Sequence, residues 1–145
     1  MIDCVYCTSS EIKARVITQN ELAWAFSTNI PITPGHTLVA SVRHVKIFEE
    51  LSGAERDAIF KLATEIKTAL KELFGAEGFH HAWNEEKVAG QSIPHFHLHI
   101  VPRKYGDEGI TEYEPRKFLY RPGSRETTPE AELQAIAQQI KEKLN

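Results

Sequence analysis

The pattern of apolar and polar positions predicts a chain of five short β-strands and two amphipathic helices. The strands are alternating or apolar-rich runs that end at polar residues, glycine or proline. Gln19 and Asn20 form a turn between the first two strands, and Pro31 and Pro34 interrupt the pattern before the third. The predicted strands span residues 14–18, 22–28, 36–42, 79–84 and 94–102.

A long helix is predicted between the third and fourth strands. Ser52 is a suitable N-cap, Glu55 completes a capping box, and Gly75 ends the helix. A second helix is predicted after Thr128, with Pro129 at its first position. Apolar side chains recur at helical spacing at Ile59, Leu62, Ile66, Leu70 and Leu73 and again at Leu133, Ile136, Ile140 and Leu144. Grouped strands joined by one long helix favour an α+β fold with an antiparallel sheet.

Composition narrows the class of protein. The chain has 145 residues, 41% hydrophobic and 26% charged, as is typical of a single globular domain. Its formal net charge of -3 provides no broad basic field, so we expect no nucleic-acid binding. No apolar run approaches the ~20 residues of a membrane span, and residues 1–4 do not resemble the start of a signal peptide. We therefore expect a cytoplasmic protein that binds no membrane.

Histidine alternates with apolar residues over positions 95–100. Because successive strand residues point to opposite faces, we expect His95, His97 and His99 on one face and the apolar residues on the face that packs on the long helix. Residues on one strand face are about 6.5–7 Å apart, so the imidazoles are within reach of one phosphate, or two of them of one metal ion. A half-buried strand whose histidines have no role is the alternative, and we favour the functional interpretation because three histidines at this period are unusual.

Gly90, Gln91 and Ser92 precede this strand and suit an anion site. Glycine lets a backbone approach a ligand closely, and Gln91 and Ser92 carry donors for a phosphate oxygen. A neutral imidazole, with an ordinary pKa of about 6.5, is a nucleophile near pH 7 when one nitrogen is free and the other donates to a fixed acceptor. Such a histidine can split phosphoryl transfer into two steps through a covalent intermediate.

At these residues the chain resembles the histidine triad (HIT) superfamily, and within it the Hint- and Fhit-like nucleotide hydrolases. The family signature, His-x-His-x-His followed by two hydrophobic residues, is H-F-H-L-H-I-V at 95–101. Two further stretches agree in order and spacing, P-G-H-T-L-V at 34–39 and N-x(5)-G-Q-S at 84–92. The resemblance covers the chain from about Cys4 to Arg103.

The resemblance implies an antiparallel five-stranded sheet domain that forms a homodimer and binds a purine nucleotide or dinucleotide. It implies that His97 attacks the α-phosphate of a nucleotide phosphoramidate or dinucleoside polyphosphate, and that water then releases the mononucleotide. The implied catalytic residues are His97, His99, His95 and His36, and the implied nucleotide-binding residues are Ser92, Gln91 and Asn84.

One position departs from the family. Many members carry an acidic residue or asparagine eight positions before the histidine that matches His36, where it binds the ribose hydroxyls. This chain has Thr28 there, followed by Asn29, and either side chain can hydrogen-bond a hydroxyl group. Phe26 can flank a base. We therefore expect Phe26, Thr28 and Asn29 in the nucleotide site and leave the base preference open.

Cys4 and Cys7 form a Cys-x-x-Cys pair near the N-terminus. In a reducing compartment such a pair suggests a metal site or a redox pair before a structural disulfide. Some HIT proteins combine it with two histidines to hold structural zinc, and the matching positions are His44 and His95. This ligand set suits tetrahedral zinc. Reduced cysteines at a loose N-terminus are one alternative; a redox pair is the other, disfavoured because no βαβ unit follows it. We expect zinc and no organic cofactor.

Two other functions fit the residues. The triad could bind one catalytic zinc ion in a metal-dependent hydrolase. The protein could instead be a nucleotide-binding dimer with vestigial activity. An intact triad with Ser92 favours the enzyme over the second alternative.

The last 40 or so residues lie outside the resemblance. We expect a HIT domain at 1–104 and a C-terminal extension at 105–145, in which an irregular segment precedes the terminal helix. We expect this extension to pack on the same domain or on its dimer partner, and its basic residues to shape substrate choice, with a solvated surface loop as the alternative. These basic residues are Arg116, Lys117, Arg121 and Arg125.

Overall fold

The fold is an antiparallel β-sheet with helices on both faces. A computed structural model describes residues 4–109 and 126–144. Five strands pair in the order β1-β2-β3-β5-β4, each antiparallel to its neighbours. They are β1 Val16–Gln19, β2 Ala23–Ser27, β3 Thr37–Ser41, β4 Gly78–Ala82 and β5 His97–Arg103. The predicted α+β class with its five-stranded antiparallel sheet is confirmed.

Four α-helices are found in the described part of the chain, α1 Val5–Thr8, α2 Ser10–Ala14, α3 Gly53–Phe74 and α4 Glu130–Lys143. Short 3₁₀ turns occupy Phe48–Glu50 and Lys87–Ala89. The predicted capping box begins α3, because Glu55 N donates to Ser52 Oγ while the Glu55 carboxylate accepts from Ser52 N. Gly75 ends this helix with a φ of 68°, which glycine adopts without strain. None of the described helices combines the length and apolar character needed to cross a bilayer.

One face of the sheet forms the main core. α3 packs on β2, β3 and β5, while α4 packs on α3, β1 and β2. The apolar members of the histidine strand are buried on this face, as the alternation predicted, and each such side chain contributes roughly 1.5–3 kcal/mol when fully buried. The buried side chains include Phe96, Leu98, Ile100, Ile66 and Leu70.

The opposite face carries histidines and a second apolar cluster. Tyr6 of α1 and Ile12 of α2 pack in this cluster with Phe26 and Leu38. Phe26 lies opposite Leu38, and Leu38 lies opposite His99. Directly opposed residues share a sheet face, so these three side chains form a row across β2, β3 and β5. His99 therefore stands at the end of an apolar floor.

The start of β5 differs from the prediction. The strand begins at His97 rather than at residue 94. His95 N donates to Ile93 O at 2.7 Å and Phe96 N donates to Val45 O at 2.7 Å, so the backbone bends before it enters the sheet. His95 consequently lies outside the strand, and its side chain joins a different group from those of His97 and His99.

Two further predictions, the start of β1 and the role of the basic residues, can be compared with the described residues. β1 begins at Val16 rather than at residue 14, because Ala14 still belongs to α2. The basic residues that were expected to shape substrate choice lie outside the described residues; they are Arg116, Lys117, Arg121 and Arg125.

Candidate active site

A cavity of about 840 Å³ opens on the histidine face of the sheet. His97 and His99 lie in its wall together with Phe26 and Leu38. Residues 127–130, at the start of α4, also line it. A groove of about 800 Å³ on the outer side of β1 has no triad histidine in its described wall, so the cavity that contains His97 is the candidate active site.

His97 has one nitrogen fixed and the other available. Its Nδ1 lies 2.8 Å from the backbone carbonyl oxygen of His95. Because a carbonyl only accepts, Nδ1 carries the proton and donates it, and Nε2 of the neutral ring keeps its lone pair. Burial lowers the pKa of His97 to about 4, although the His95 carbonyl partly opposes this shift. The ring is therefore neutral near pH 7.

His36 and His99 are joined in a hydrogen-bond relay. The backbone N–H of Ile32 donates to His36 Nδ1 at 3.0 Å, which places the His36 proton on Nε2. His36 Nε2 lies 2.9 Å from His99 Nδ1 and donates to it. A neutral His99 then carries its proton on Nε2. Since the His97 and His99 ring centroids are 5.1 Å apart, the cavity wall combines a lone pair on one ring with an N–H donor on the next.

Four of the predicted nucleotide-binding residues line this cavity. Phe26 contributes an apolar ring at its floor, and Thr28 and Asn29 follow at the end of β2. Ser92 lines it from the segment that precedes β5. The structure thus brings Phe26, Thr28, Asn29 and Ser92 to the same cavity as His97.

Gln91 and Asn84 are placed elsewhere. Both polar atoms of the Gln91 side-chain amide are hydrogen-bonded within the protein. Its oxygen accepts from Glu86 N at 2.9 Å, and its nitrogen donates to Lys46 O at 2.8 Å. Asn84 Nδ2 donates to Gly90 O at 3.4 Å. Neither residue lines the histidine cavity. Both side chains hold the polar loop before β5 in shape.

Tyr6 is a site residue that sequence reasoning missed. Its ring meets the His97 ring edge to face, with centroids 5.1 Å apart and planes at 88°, and it meets the His95 ring at 5.8 Å. Aromatic pairs favour this geometry. Tyr6 therefore packs against the nucleophile candidate and contributes to its burial. Its place between Cys4 and Cys7 was visible in the sequence, but nothing local showed that α1 folds over the histidine face.

Arg15 and Glu130 were also missed. They form an ion pair of 3.0 Å in the wall of the cavity, and Arg15 Nε donates to Ser27 O at 2.7 Å. The two residues are 115 positions apart, so no local pattern could have paired them.

A second group of side chains has the composition of a metal site. The ligand atoms of its four members all lie within 4.8 Å of one another. His95 Nδ1 is 3.5 Å from Cys4 Sγ, 3.6 Å from Cys7 Sγ and 3.3 Å from His44 Nδ1. The members are Cys4, Cys7, His44 and His95.

The chemistry of this group fits a metal ion. His95 Nε2 donates to Ser41 O at 2.7 Å, so the tautomer is fixed with Nδ1 as the ligand nitrogen. Both cysteines are free thiols. Two sulfur and two imidazole ligands suit a tetrahedral zinc ion. This set could therefore hold a metal ion, and it uses a triad histidine to do so.

The HIT domain family model matches residues 9–106. The chain belongs to the HIT family. The predicted recognition is thus confirmed. The matched region contains the whole sheet, α3 and both histidines of the candidate active site.

Relatives in the HIT family include nucleotide hydrolases. The chain is 37% identical over 109 residues to an uncharacterized HIT-like protein of Mycoplasma genitalium, covering 74% of this chain and 77% of the relative. It is 30% identical over 117 residues to bis(5'-adenosyl)-triphosphatase of Dictyostelium discoideum, covering 81% and 75%. Some homologues are thus hydrolases of dinucleoside polyphosphates.

Solved structures share the fold. A Hit-like protein of Bartonella henselae matches with a TM-score of 0.76 at 23% identity, over 97% of this chain and 96% of that one. A zinc-bound histidine triad family protein of Mycobacterium smegmatis matches with a TM-score of 0.66 at 26% identity, over 93% of each chain.

Proposed function

We propose that this protein is a hydrolase that cleaves at the α-phosphate of a nucleotide phosphoramidate or dinucleoside polyphosphate through a covalent nucleotidyl-His97 intermediate. The observation that carries the proposal is the pairing of nitrogens in the cavity, a lone pair on His97 Nε2 beside a donor on His99 Nε2. The hydrolase relatives support the substrate class.

The reaction has two balanced steps. In the first, His97 Nε2 attacks the α-phosphorus; the new P–N bond forms as the bond to the leaving group breaks, and the leaving group keeps the electron pair and takes up a proton from solvent. In the second, water attacks the phosphorus and gives up a proton to solvent, the P–N bond breaks with its electron pair returning to Nε2, and His97 is neutral again with the mononucleotide released. The His95 carbonyl orients the ring throughout by accepting from Nδ1–H.

The neighbouring groups bind the substrate. His99 Nε2–H, held in place by His36, donates to a non-bridging phosphate oxygen, where negative charge increases in the transition state. The Ser92 hydroxyl is a second donor. Phe26 supports the base, and Thr28 and Asn29 contact the sugar. Gln91 and Asn84 act indirectly, through the loop that they hold.

We further propose that Cys4, Cys7, His44 and His95 hold structural zinc. The ligand set and the zinc-bound relative from Mycobacterium smegmatis support this assignment. When bound, the ion would supply a cross-link between the N-terminal segment and the residues that precede β5. His95 Nδ1 is directed at the cysteines, so the alternative in which all three triad histidines bind one catalytic zinc ion is disfavoured.

We also propose that the protein is a cytoplasmic homodimer, with the HIT domain at 1–104 and the extension at 105–145. Within the described residues β4 is an edge strand that pairs with β5 alone, and an open edge of this kind can extend the sheet into a second copy. α4 packs on α3 of the same chain, which supports an extension folded onto its own domain.

The variant His97→Ala tests the function. It should lower kcat by at least about 1,000-fold, because the nucleophile is absent, while the protein still binds a nucleoside monophosphate. The assay compares hydrolysis of adenosine phosphoramidate and diadenosine polyphosphates with mononucleotide binding. Lys61→Ala, which truncates an exposed side chain of α3, is the control and should keep parent activity. Near-normal turnover by His97→Ala would show that the assignment is wrong.

A further inference from the structure

Tyr6 contacts both the proposed nucleophile and a proposed metal ligand, but it has no part in the two steps above. Its side chain is buried, and its ring meets the His97 ring with centroids 5.1 Å apart and planes at 88°. It also meets the His95 ring at 5.8 Å and the Phe26 ring at 5.0 Å. All three contacts have the edge-to-face geometry that aromatic rings favour, so together they define one position for the Tyr6 ring.

A single hydrogen bond does not fix the orientation of the His97 ring. Among the described hydrogen bonds, the one that orients this side chain runs from Nδ1 to the His95 carbonyl oxygen at 2.8 Å. A ring that is held at one atom can still tilt about the axis of that bond, and a tilt moves Nε2 out of line with the phosphorus that it attacks. The Tyr6 ring packs against the imidazole and removes this freedom.

The same contacts protect the orienting hydrogen bond from water. This bond joins His97 to His95, and the Tyr6 ring packs against the rings of both residues. A water molecule that reached Nδ1–H could replace the carbonyl as the acceptor, because hydrogen bonds to water are nearly as favourable as direct ones. Tyr6 therefore favours the tautomer in which the lone pair is on Nε2 of His97.

The position of Tyr6 depends on contacts that α1 makes outside itself. α1 has a single turn and no side-chain cap, and a helix of this length is not stable alone. Cys4 and Cys7 stand on either side of Tyr6, and their sulfur atoms lie 3.5 and 3.6 Å from His95 Nδ1. The matched HIT region begins at residue 9, so α1 lies before it. The cysteine and histidine group thus holds Tyr6 against His97.

We propose that Tyr6 is a positioning residue that acts through His97, holding the imidazole in the orientation that attack on the phosphorus requires. The inference rests on the proposed function, since it takes His97 to be the nucleophile. The aromatic ring carries this role, and the Tyr6 hydroxyl does not. Loss of the ring should therefore lower kcat by about 10- to 100-fold, as expected when a functional histidine loses a group that orients it.

Two variants of Tyr6 in the full chain separate the ring from the hydroxyl. Tyr6→Leu keeps an apolar side chain but removes the ring, and it should show the full loss of kcat while the Kd for AMP stays within about threefold of the parent value. Tyr6→Phe keeps the ring and should keep parent kcat. Trp24→Leu is the matched control, because Trp24 belongs to the same apolar cluster and its described ring contact is with Phe26, at 4.6 Å. It should lower stability and leave kcat unchanged.

Proton exchange measures the orienting hydrogen bond without reference to activity. NMR of histidine-labelled protein follows exchange of the His97 Nδ1 proton with water, and the signal is assigned by its absence from His97→Ala. The parent and Tyr6→Phe should exchange this proton slowly, because the ring covers the bond to the His95 carbonyl. Tyr6→Leu should exchange it at least about tenfold faster.

Four results would overturn the positioning role of Tyr6. They are parent kcat in Tyr6→Leu, a rise in KM with kcat unchanged, an equal loss of kcat in Trp24→Leu, and a loss of kcat in Tyr6→Phe. If Tyr6→Leu does not fold, the parent protein still decides, since a His97 Nδ1 proton that exchanges as fast as that of an exposed imidazole contradicts the proposal. If the parent hydrolyses its substrate through His97 and Tyr6→Leu does so equally well, only this inference fails. If the parent does not use His97, the proposed function fails as well.

Discussion

At the scale of single residues, the site depends on which nitrogen of each histidine carries the proton. Backbone groups set both tautomers, because the His95 carbonyl fixes His97 and the Ile32 N–H fixes His36. Through His36, the second constraint reaches His99. The main chain thus favours different tautomers in the two cavity histidines, with a lone pair on His97 Nε2 and an N–H donor on His99 Nε2.

A substitution of His36 can remove the hydrogen-bond relay and leave the residues of the cavity floor unchanged. His36→Phe keeps a planar ring but removes both hydrogen bonds, so we expect kcat to fall by about 10- to 100-fold, as for other residues that orient a functional histidine. The measurement is steady-state hydrolysis with thermal unfolding alongside. Lys61→Phe, on an exposed position of α3, is the control. A folded His36→Phe variant with parent kcat would show that the relay has no catalytic role.

The sequence predicted some of these residues and could not predict others. His97, His99 and His36 stand in short motifs, so their residue type and spacing indicated their chemistry. Gln91 was expected at the phosphate because an amide is a good donor, yet its two ends are bonded to Glu86 and Lys46. Hydrogen-bond partners of this kind are set by the folded loop and leave no mark in the local pattern.

At the scale of elements, the residue that caps α3, Glu55, also makes a contact with a more distant part of the chain. The Glu55 carboxylate closes the capping box and also accepts from Arg43 Nη2 at 2.7 Å and from Nε at 3.1 Å. The Arg43 hydrogen bonds, followed by those to Ser52, hold the pKa of Glu55 below its usual value of 4.5, although burial opposes them. Glu55 therefore links the start of α3 to the loop after β3.

This lowered pKa predicts a pH-dependent contribution to stability. Above the pKa that Glu55 has in the unfolded protein, its carboxylate is ionised in both the folded and the unfolded protein, and its stabilising effect is complete. This effect is lost as the pH falls through the lower pKa that Glu55 has in the folded protein. Glu55→Gln should cost about 1 kcal/mol near pH 7, and its difference from the parent should shrink below pH 4.5. Denaturant unfolding of the parent and of Glu55→Gln over this pH range measures the cost near pH 7 and its decrease at lower pH. Glu65→Gln, exposed on the same helix, is the control, and a difference that does not depend on pH would contradict the account.

Elements with strong end signals were predicted well, and elements shaped by distant contacts were not. The long helix follows from the Ser52–Glu55 box, the apolar stripe and Gly75, all of which are local. The start of β5 does not, because the bend at His95 depends on a hydrogen bond from Phe96 N to Val45 O. α1 and α2 are too short for a helical period to be detected.

At the scale of the whole molecule, distant parts of the chain meet around the histidine face. α1 and α2 pack on it from the N-terminus, and the start of α4 closes the far end of the cavity. The cysteine and histidine group joins α1 to the segment before β5. The His95 ring lies in this group, while the His95 carbonyl oxygen accepts from His97 Nδ1 in the candidate active site.

A zinc ion bound there should therefore stabilise the molecule as a whole. Elemental analysis of protein purified without added metal should find about one zinc ion per chain. Replacing both Cys4 and Cys7 with serine should remove the metal and lower the unfolding temperature, because serine is a poor zinc ligand. Lys61→Ala, on the exposed face of α3, should retain both the metal and the parent stability. A metal-free protein with unchanged thermal stability would refute the structural role.

Trapping a covalent nucleotidyl-His97 intermediate tests the proposed mechanism. The protein is mixed with a nucleotide phosphoramidate or dinucleoside polyphosphate and quenched within one turnover in alkaline denaturant, since the P–N bond of a phosphohistidine is acid-labile. Tryptic cleavage after Lys87 and Arg103 releases peptide 88–103, which carries the triad. The proposed mechanism predicts that this peptide gains the mass of one nucleotidyl group, assigned to His97 by fragmentation and missing from His97→Ala. Turnover without an adduct, or an adduct on another residue, would contradict it.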